Sequence, residues 1–300
     1  MSLIVTGAVC IDTITTPSST AENLLGGSGI YFPAAASFFT QPRVLAAVGD
    51  DFPDDFLATF DHFNIDRRGL EIRKGSKTFR WHGKYHENMN GRDTVGIELN
   101  VLLEEPPALP DFYADSKVVF LAVDRPSNQL NLLNAVPDST LTVMDTIDLY
   151  INQNRDELLE VIRKVDGLII NDSEAHALTG HRNPIVAAAE LEKLGPAFII
   201  IKKGEHGVVM KHRDGWAALP AYPADKVVDP TGAGDSFAGA MMGYLTETGD
   251  TSLIGLRKAL AYGTVTASFN IEDFSLNRMK TLTRDNIDKR LAHFTQIVSI

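Results

Sequence analysis

The chain has 300 residues, 44% of them hydrophobic, enough to bury the core of one large α/β domain. Against 28 basic residues stand 39 acidic ones, a formal charge of −11 with no basic patch, and this excludes nucleic acid as a partner, because a phosphate backbone would be repelled. Cys10 is the single cysteine and allows no disulfide within the chain, no apolar run approaches the ~18 residues of a membrane span, and the opening MSLIVTGAV lacks the basic start and cleavage site of a signal peptide, so the expectation is a cytoplasmic protein that spans no membrane.

The first segment, 3–9 (LIVTGAV), is almost unbroken apolar sequence and predicts a buried strand. A Gly-Gly-Ser-Gly run at 26–29 precedes a small, apolar stretch at 30–39 that predicts a helix packed on a sheet. A short strand follows at 44–48. The spacing of Phe56, Leu57, Phe60 and Phe63 predicts a helix over 52–63. From about 70 to 101 the pattern changes to alternating apolar and polar residues separated by glycines, as in TFRWHGKYH, which predicts antiparallel strands with one wet face. Strands at 117–122, 140–144, 167–170 and 197–201 then alternate with helices at 127–134, 156–164 and 184–194. Such alternation implies a parallel sheet with helices on both faces. Segments 207–211 and 216–219 read as a hairpin, and long helices at 233–248 and 252–270 close the fold.

The stretch 229–237, DPTGAGDSF, sets glycines and an acid at the start of the first of those long helices. A helix N-terminus leaves backbone N–H groups unpaired and carries partial positive charge, so an anion is stabilised there. Glycines let that backbone approach a phosphate closely. Gly232, Ala233 and Gly234 can therefore form an anion hole, and Asp235 beside it can take the proton of an incoming hydroxyl. On GAGD alone, an acid that merely caps the helix accounts for the residues about as well. Other glycine motifs fail: there is no G-x-x-x-x-G-K-[ST], and Phe237 stands where a dinucleotide fingerprint needs its third glycine. His212-Arg213-Asp214 runs into a turn glycine and reads as chance, and His82 and His86 lie in strand-like sequence and do not read as a zinc site. Asp124 and Asp145 follow apolar runs and are strand-end residues with a weak claim on a site.

DPTGAGDSFAGAMM resembles the C-terminal signature of the PfkB, or ribokinase-like, family of carbohydrate and nucleoside kinases. Asp12 in GAVCID, the pair Gly26-Gly27, Asn171-Asp172-Ser173-Glu174 after a strand, and Lys202-Lys203-Gly204-Glu205-His206-Gly207 stand in the family's order, so the resemblance spans nearly the whole chain. It implies one ribokinase-like domain over 1–300. That domain is α/β, a three-layer α/β/α core with a mostly parallel central sheet, plus a small β-sheet lid formed by about 12–26 and 70–101. It implies an ATP- and Mg²⁺-dependent kinase that phosphorylates an alcohol, expected to be a primary one, on a small sugar, polyol or nucleoside. A non-catalytic nucleotide or sugar sensor on the same fold is the alternative, although such a binder needs no base at Asp235.

By the same resemblance Asp235 is the catalytic base, and Gly232, Ala233 and Gly234 hold the transferring group. Asn171 and Glu174 organise Mg²⁺ and the ATP phosphates, Glu174 acting through water, while Lys202, Gly204 and Gly207 line the nucleotide. Asp12, Gly27 and Ser28 hold the acceptor, and Asp229 and Thr231 are candidates for a monovalent cation, K⁺. Where many relatives carry Asn after Gly-Gly this chain has Tyr31, which could stack on the acceptor or belong to the helix core. The lid would close over the substrate. Phe79, Trp81 and Tyr85, at alternating positions and expected to be exposed, would suit a homodimer face, and packing on the lid's own domain explains them equally well.

Overall fold

The computed structural model of the chain describes residues 1–299. A nine-stranded sheet runs through the core in the order β13-β12-β11-β10-β9-β8-β1-β4-β5. Its strands are β1 (Leu3–Thr6), β4 (Pro42–Gly49), β5 (Asp66–Arg73), β8 (Val118–Leu121), β9 (Leu141–Met144), β10 (Gly167–Asn171), β11 (Phe198–Lys202), β12 (Val208–His212) and β13 (Gly215–Leu219). The pairs from β5 through β11 are parallel, and only β11–β12 and β12–β13 are antiparallel. Chain order runs from β1 outward through β4 to β5, then returns to β8 on the other side of β1. That reversal opens a crevice at the carboxyl ends of the strands, where ligands of such sheets bind.

The strands are apolar on both sides because both faces are covered. Leu3 and Val5 of β1 point into one core and Ile4 into the other. The first core is closed by α1 (Ser28–Ala36), α2 (Asp54–His62), α8 (Ala233–Thr248), α9 (Leu253–Asn270) and α10 (Arg284–Val298). The second is closed by α3 (Pro126–Ala135), α4 (Asp148–Gln153), α5 (Arg155–Ile162), α6 (Asp172–Thr179) and α7 (Pro184–Glu192). The three-layer architecture expected from the alternation is therefore present. Among the described residues, no helix is long and apolar enough to cross a membrane.

A separate four-stranded sheet, in the order β3-β2-β6-β7, stands over the crevice, formed by β2 (Cys10–Thr15), β3 (Thr20–Gly26), β6 (Phe79–Tyr85) and β7 (Arg92–Glu98). It is antiparallel except for the parallel β2–β6 pair. Two sequence boundaries need correction. The strand expected over 3–9 is two strands in two sheets: β1 ends at Thr6, and Gly7–Val9 carries the chain across to β2. Gly7 is required there, since a Cβ would stand 2.4 Å from Ser28 Oγ. The insertion placed at 70–101 starts too early, because 66–73 is the edge strand β5 of the large sheet, paired with β4.

Candidate active site

The site is built around the loop that opens α8. Gly232 is left-handed (φ 75°), and a Cβ on it would lie 2.3 Å from Cγ of Tyr31, so only glycine fits. The preceding Thr231 is fastened on three sides. Its N–H donates to Asp229 Oδ1 (2.9 Å), its carbonyl accepts from Asn270 Nδ2 (2.8 Å), and its hydroxyl lies 3.0 Å from the Tyr85 hydroxyl of β6. Asn270 is itself held by Ser236 Oγ at 3.2 Å. Among the described residues the N–H groups of Gly232, Gly234 and Asp235 have no hydrogen-bond partner, and together with the α8 terminus they form a preorganised anion hole. Ala233 does not contribute its amide as expected: its N–H donates to Pro230 O at 3.1 Å.

Asp235 sits on the first turn of α8, half-buried, and its carboxylate accepts no hydrogen bond from any described residue. Burial and the nearby charge of Asp145 push its pKa up to about 7, against the opposing pull of Lys202 and Arg92. A carboxylate poised near neutrality with its oxygens free is equipped to accept a proton.

Three strand ends supply the rest of this wall. Lys202, the last residue of β11, places Nζ 3.0 Å from Asp145 Oδ2 at the end of β9, and that same Nζ would be 3.1 Å from a Cβ on Gly234. Burial works against its charge, but Asp145 and Glu174 outweigh it and raise the Lys202 pKa. Asn171 and Glu174 form a reciprocal cap on α6: Glu174 N–H donates to Asn171 Oδ1 (2.8 Å), and Asn171 N–H donates to Glu174 Oε2 (2.7 Å). This leaves Glu174 buried, its acidity weakened first by burial and then by Asp145. The capping role explains the N-x-x-E spacing and also fixes the carboxylate at the crevice.

Beyond Lys202 the chain turns through Gly204–His206. Gly204 (φ 53°) and Gly207 (φ 84°) are both left-handed, and a Cβ on Gly207 would meet Leu219 O at 2.1 Å. Glu205 Oε1 of this turn accepts from Asn90 Nδ2 at the tip of the small sheet (3.3 Å). The small sheet thus bridges the crevice from end to end.

Across the crevice, Asp12 on β2 is buried, with Oδ1 accepting from Cys10 Sγ at 2.9 Å. Burial lifts its pKa to about 7, the Cys10 bond opposes that, and the charges of Asp229 and Asp235 add to it. Gly26 passes over its other oxygen, where a Cβ would come within 1.9 Å. Gly27 (φ 94°) opens α1, and Ser28 follows it on the first turn. The Asp12 and Gly27 side of the crevice and the Asp235 side both lie below the small sheet.

Two expectations change. Tyr31 is 1% exposed, packed under Gly232, so in this structure it supports the anion hole and presents no ring face to a ligand. Tyr85, expected to be exposed, is buried and turned inward onto Thr231. At the residues named for a monovalent cation, Asp229 Oδ1 accepts from Thr231 N and Oδ2 from Ser275 N (3.4 Å), and the Thr231 carbonyl accepts from Asn270. Sequence reasoning missed Arg92, set Tyr85 on an outward face and undervalued Asp145. Its one signal was position, a polar residue ending an apolar strand at the sheet's carboxyl edge.

A three-layer α/β/α fold with a small sheet over its crevice, unpaired amides at a helix N-terminus and an unbonded carboxylate beside them is suited to phosphoryl transfer. Residues 2–282 match the model of the pfkB family of carbohydrate kinases, and the chain belongs to that family. It is similar to the cytidine kinase of Thermococcus kodakarensis, with 32% identity over 255 residues, covering 81% of this chain and 88% of the relative. Among solved structures, the nucleoside kinase of Methanocaldococcus jannaschii superposes with a TM-score of 0.76 at 21% identity, covering 98% of this chain and 99% of that one. The Burkholderia thailandensis nucleoside kinase in complex with ADP-inosine gives 0.78 at 19% identity over 98% and 96%.

Proposed function

We propose that the protein transfers the γ-phosphoryl group of ATP to a primary hydroxyl of a small sugar or nucleoside, with Asp235 as general base. The observation that carries this reading is the pairing of Asp235, unbonded and poised near neutrality, with the free amides of Gly232, Gly234 and Asp235. The acceptor lies against Asp12, whose carboxylate takes two hydroxyl hydrogen bonds, with Gly27 and Ser28 alongside. ATP lies along the strand ends. Lys202, held toward Gly234 by Asp145, meets the phosphates, and Gly204 and Gly207 let the chain pass close to the nucleotide.

Mg²⁺ fits this wall. The carboxylates of Asp145, Glu174 and Asp235 outnumber the one ammonium of Lys202, and hard oxygen donors suit the ion. Among the described residues no three such side chains converge tightly enough to grip a metal directly. Glu174, oriented by Asn171, would therefore hold it through water, with the phosphates as its main ligands. Bound there, Mg²⁺ would neutralise charge on the transferring phosphoryl group. The chain's own residues do the rest: Asp12 orients the hydroxyl, Asp235 removes its proton as the bond to phosphorus forms, and the amides receive the anionic oxygens. The lid excludes water from the transfer.

The names of the Thermococcus and Methanocaldococcus relatives favour a nucleoside over a free sugar. The test is ADP release from ATP with and without Mg²⁺ across ribose, fructose, glucose, inositol, cytidine, adenosine, inosine and guanosine. Acceptor- and Mg²⁺-dependent turnover is expected. ADP release that ignores every acceptor would refute the reading.

A further inference from the structure

We infer that Trp81 and Ile97 form the platform for the base of a nucleoside acceptor, an inference that rests on the kinase reading above. The register of the small sheet carries it. Asp12 pairs with Trp81 across β2–β6, and Trp81 pairs with Ile97 across β6–β7, so the three side chains stand in one row on one face. That face is the one turned to the crevice, because Asp12 lies on it within reach of the charges of Asp229 and Asp235. Tyr85, four residues beyond Trp81 on β6, turns the same way onto Thr231. At the strand spacing of sheets the row is about 10 Å wide, with a carboxylate at one end and apolar surface at the other.

The indole is fixed in place. Its benzo end lies against Gly83, where any Cβ would come within 2.2 Å of the ring, and its Nε1–H donates to Thr94 Oγ1 at 3.1 Å. That end of the ring is thus backed by the strand. The guanidinium of Arg92, an exposed side chain, lies over the ring 5.5 Å from its centroid, so a base stacking on that face would displace it. Ile97 beside it is 55% exposed, a large apolar side chain left to water at the mouth of a polar crevice. A monosaccharide bound at Asp12 would leave this apolar half of the row uncovered. A nucleoside covers both halves, with ribose hydroxyls on Asp12 and the base on the indole and Ile97. Base–aromatic stacking is tolerant of base identity, so the platform selects nucleosides as a class.

The chain has two tryptophans, and Trp216 lies on β13 at the far edge of the large sheet, so Trp216→Phe leaves Trp81 as the sole indole reporter. In that background, titration with cytidine and adenosine should change Trp81 emission saturably, and ribose should not. Trp81→Ala should raise KM for nucleosides about 5- to 150-fold with a smaller change in kcat, and Trp81→Phe should restore most of the loss. Nucleoside turnover with an unchanged KM in Trp81→Ala would overturn the platform and leave the kinase reading standing. Turnover of free sugars alone would also overturn it. Emission that follows protein concentration and ignores nucleoside would put a second copy of the chain against the indole, and would overturn it as well. Absence of any acceptor-dependent ADP release would sink both readings together.

Discussion

Asp12, proposed above to hold the acceptor, is buried at a cost to the empty protein. Its carboxyl titrates at about 7 where an unburied one titrates at 3.8, chiefly because it is buried. Between those values the native state binds a proton that the unfolded chain does not, so stability falls as pH rises through the window. At pH 8 the accumulated penalty is about 4 kcal/mol, and at pH 5 it is under about 2 kcal/mol. Asp12→Asn removes it while keeping an oxygen for Cys10. The new amide also brings buried N–H donors, which returns about 1–3 kcal/mol at every pH. The diagnostic is therefore a difference: the stability of Asp12→Asn relative to the unmutated protein should be about 2–3 kcal/mol more favourable at pH 8 than at pH 5. Urea unfolding of the ligand-free proteins at both pH values measures it. The same relative stability at both pH values, or a less favourable one at pH 8, would refute the reasoning. The variant should also lose acceptor affinity, a stability–activity trade at one carboxylate.

Other consequences follow from the neighbouring residues. Asp235 must be ionised to act, so kcat/KM should rise with pH through about 7, and Asp145→Asn should move that limb to lower pH by removing the negative charge that holds the Asp235 proton. A limb that stays in place would detach Asp145 from the base. Gly232→Ala forces a Cβ into the Tyr31 ring at a left-handed backbone position and should lower kcat at least 100-fold while the fold survives, checked by steady-state kinetics beside far-UV circular dichroism. Tyr85→Phe loses one hydrogen bond to Thr231, about 1 kcal/mol, and should lower kcat/KM about 5-fold.

The core was legible because its strands are buried on both faces: LIVT, VVFL, LTVM and FIIIK announce themselves as apolar runs. The helices that escaped are those with little apolar face. In α10 only Ile287 and Phe294 are buried, and the eight residues of α6, with Asn171 as their N-cap, begin with the very residues, through Glu174, that were read as chemistry. The chain's departure from the large sheet after Thr6 was hidden because Cys10, Ile11 and Ile14 of β2 are as apolar and buried as β1. Within the site, the glycine loop and Asp235 were legible because backbone conformation and helix termini are local properties. Tyr85, Arg92 and Asp145 were not, because their parts depend on which strand tops face which helix end. Tyr31 shows the same limit from the other side: its aromatic ring suits a ligand or a core equally, and only the packing against Gly232 decides.

The central claim is that Asp235 removes the acceptor proton beside the amide hole. Single-turnover transfer from [γ-³²P]ATP to the acceptor found in the panel, measured at pH 8 for the unmutated protein and for Asp235→Asn with ATP affinity determined in parallel, tests it directly. A loss of about 10²- to 10⁴-fold in the transfer rate with ATP affinity kept within a few-fold is the predicted result. A transfer rate within 10-fold of the unmutated protein would contradict the assignment of the base, whatever the acceptor proves to be.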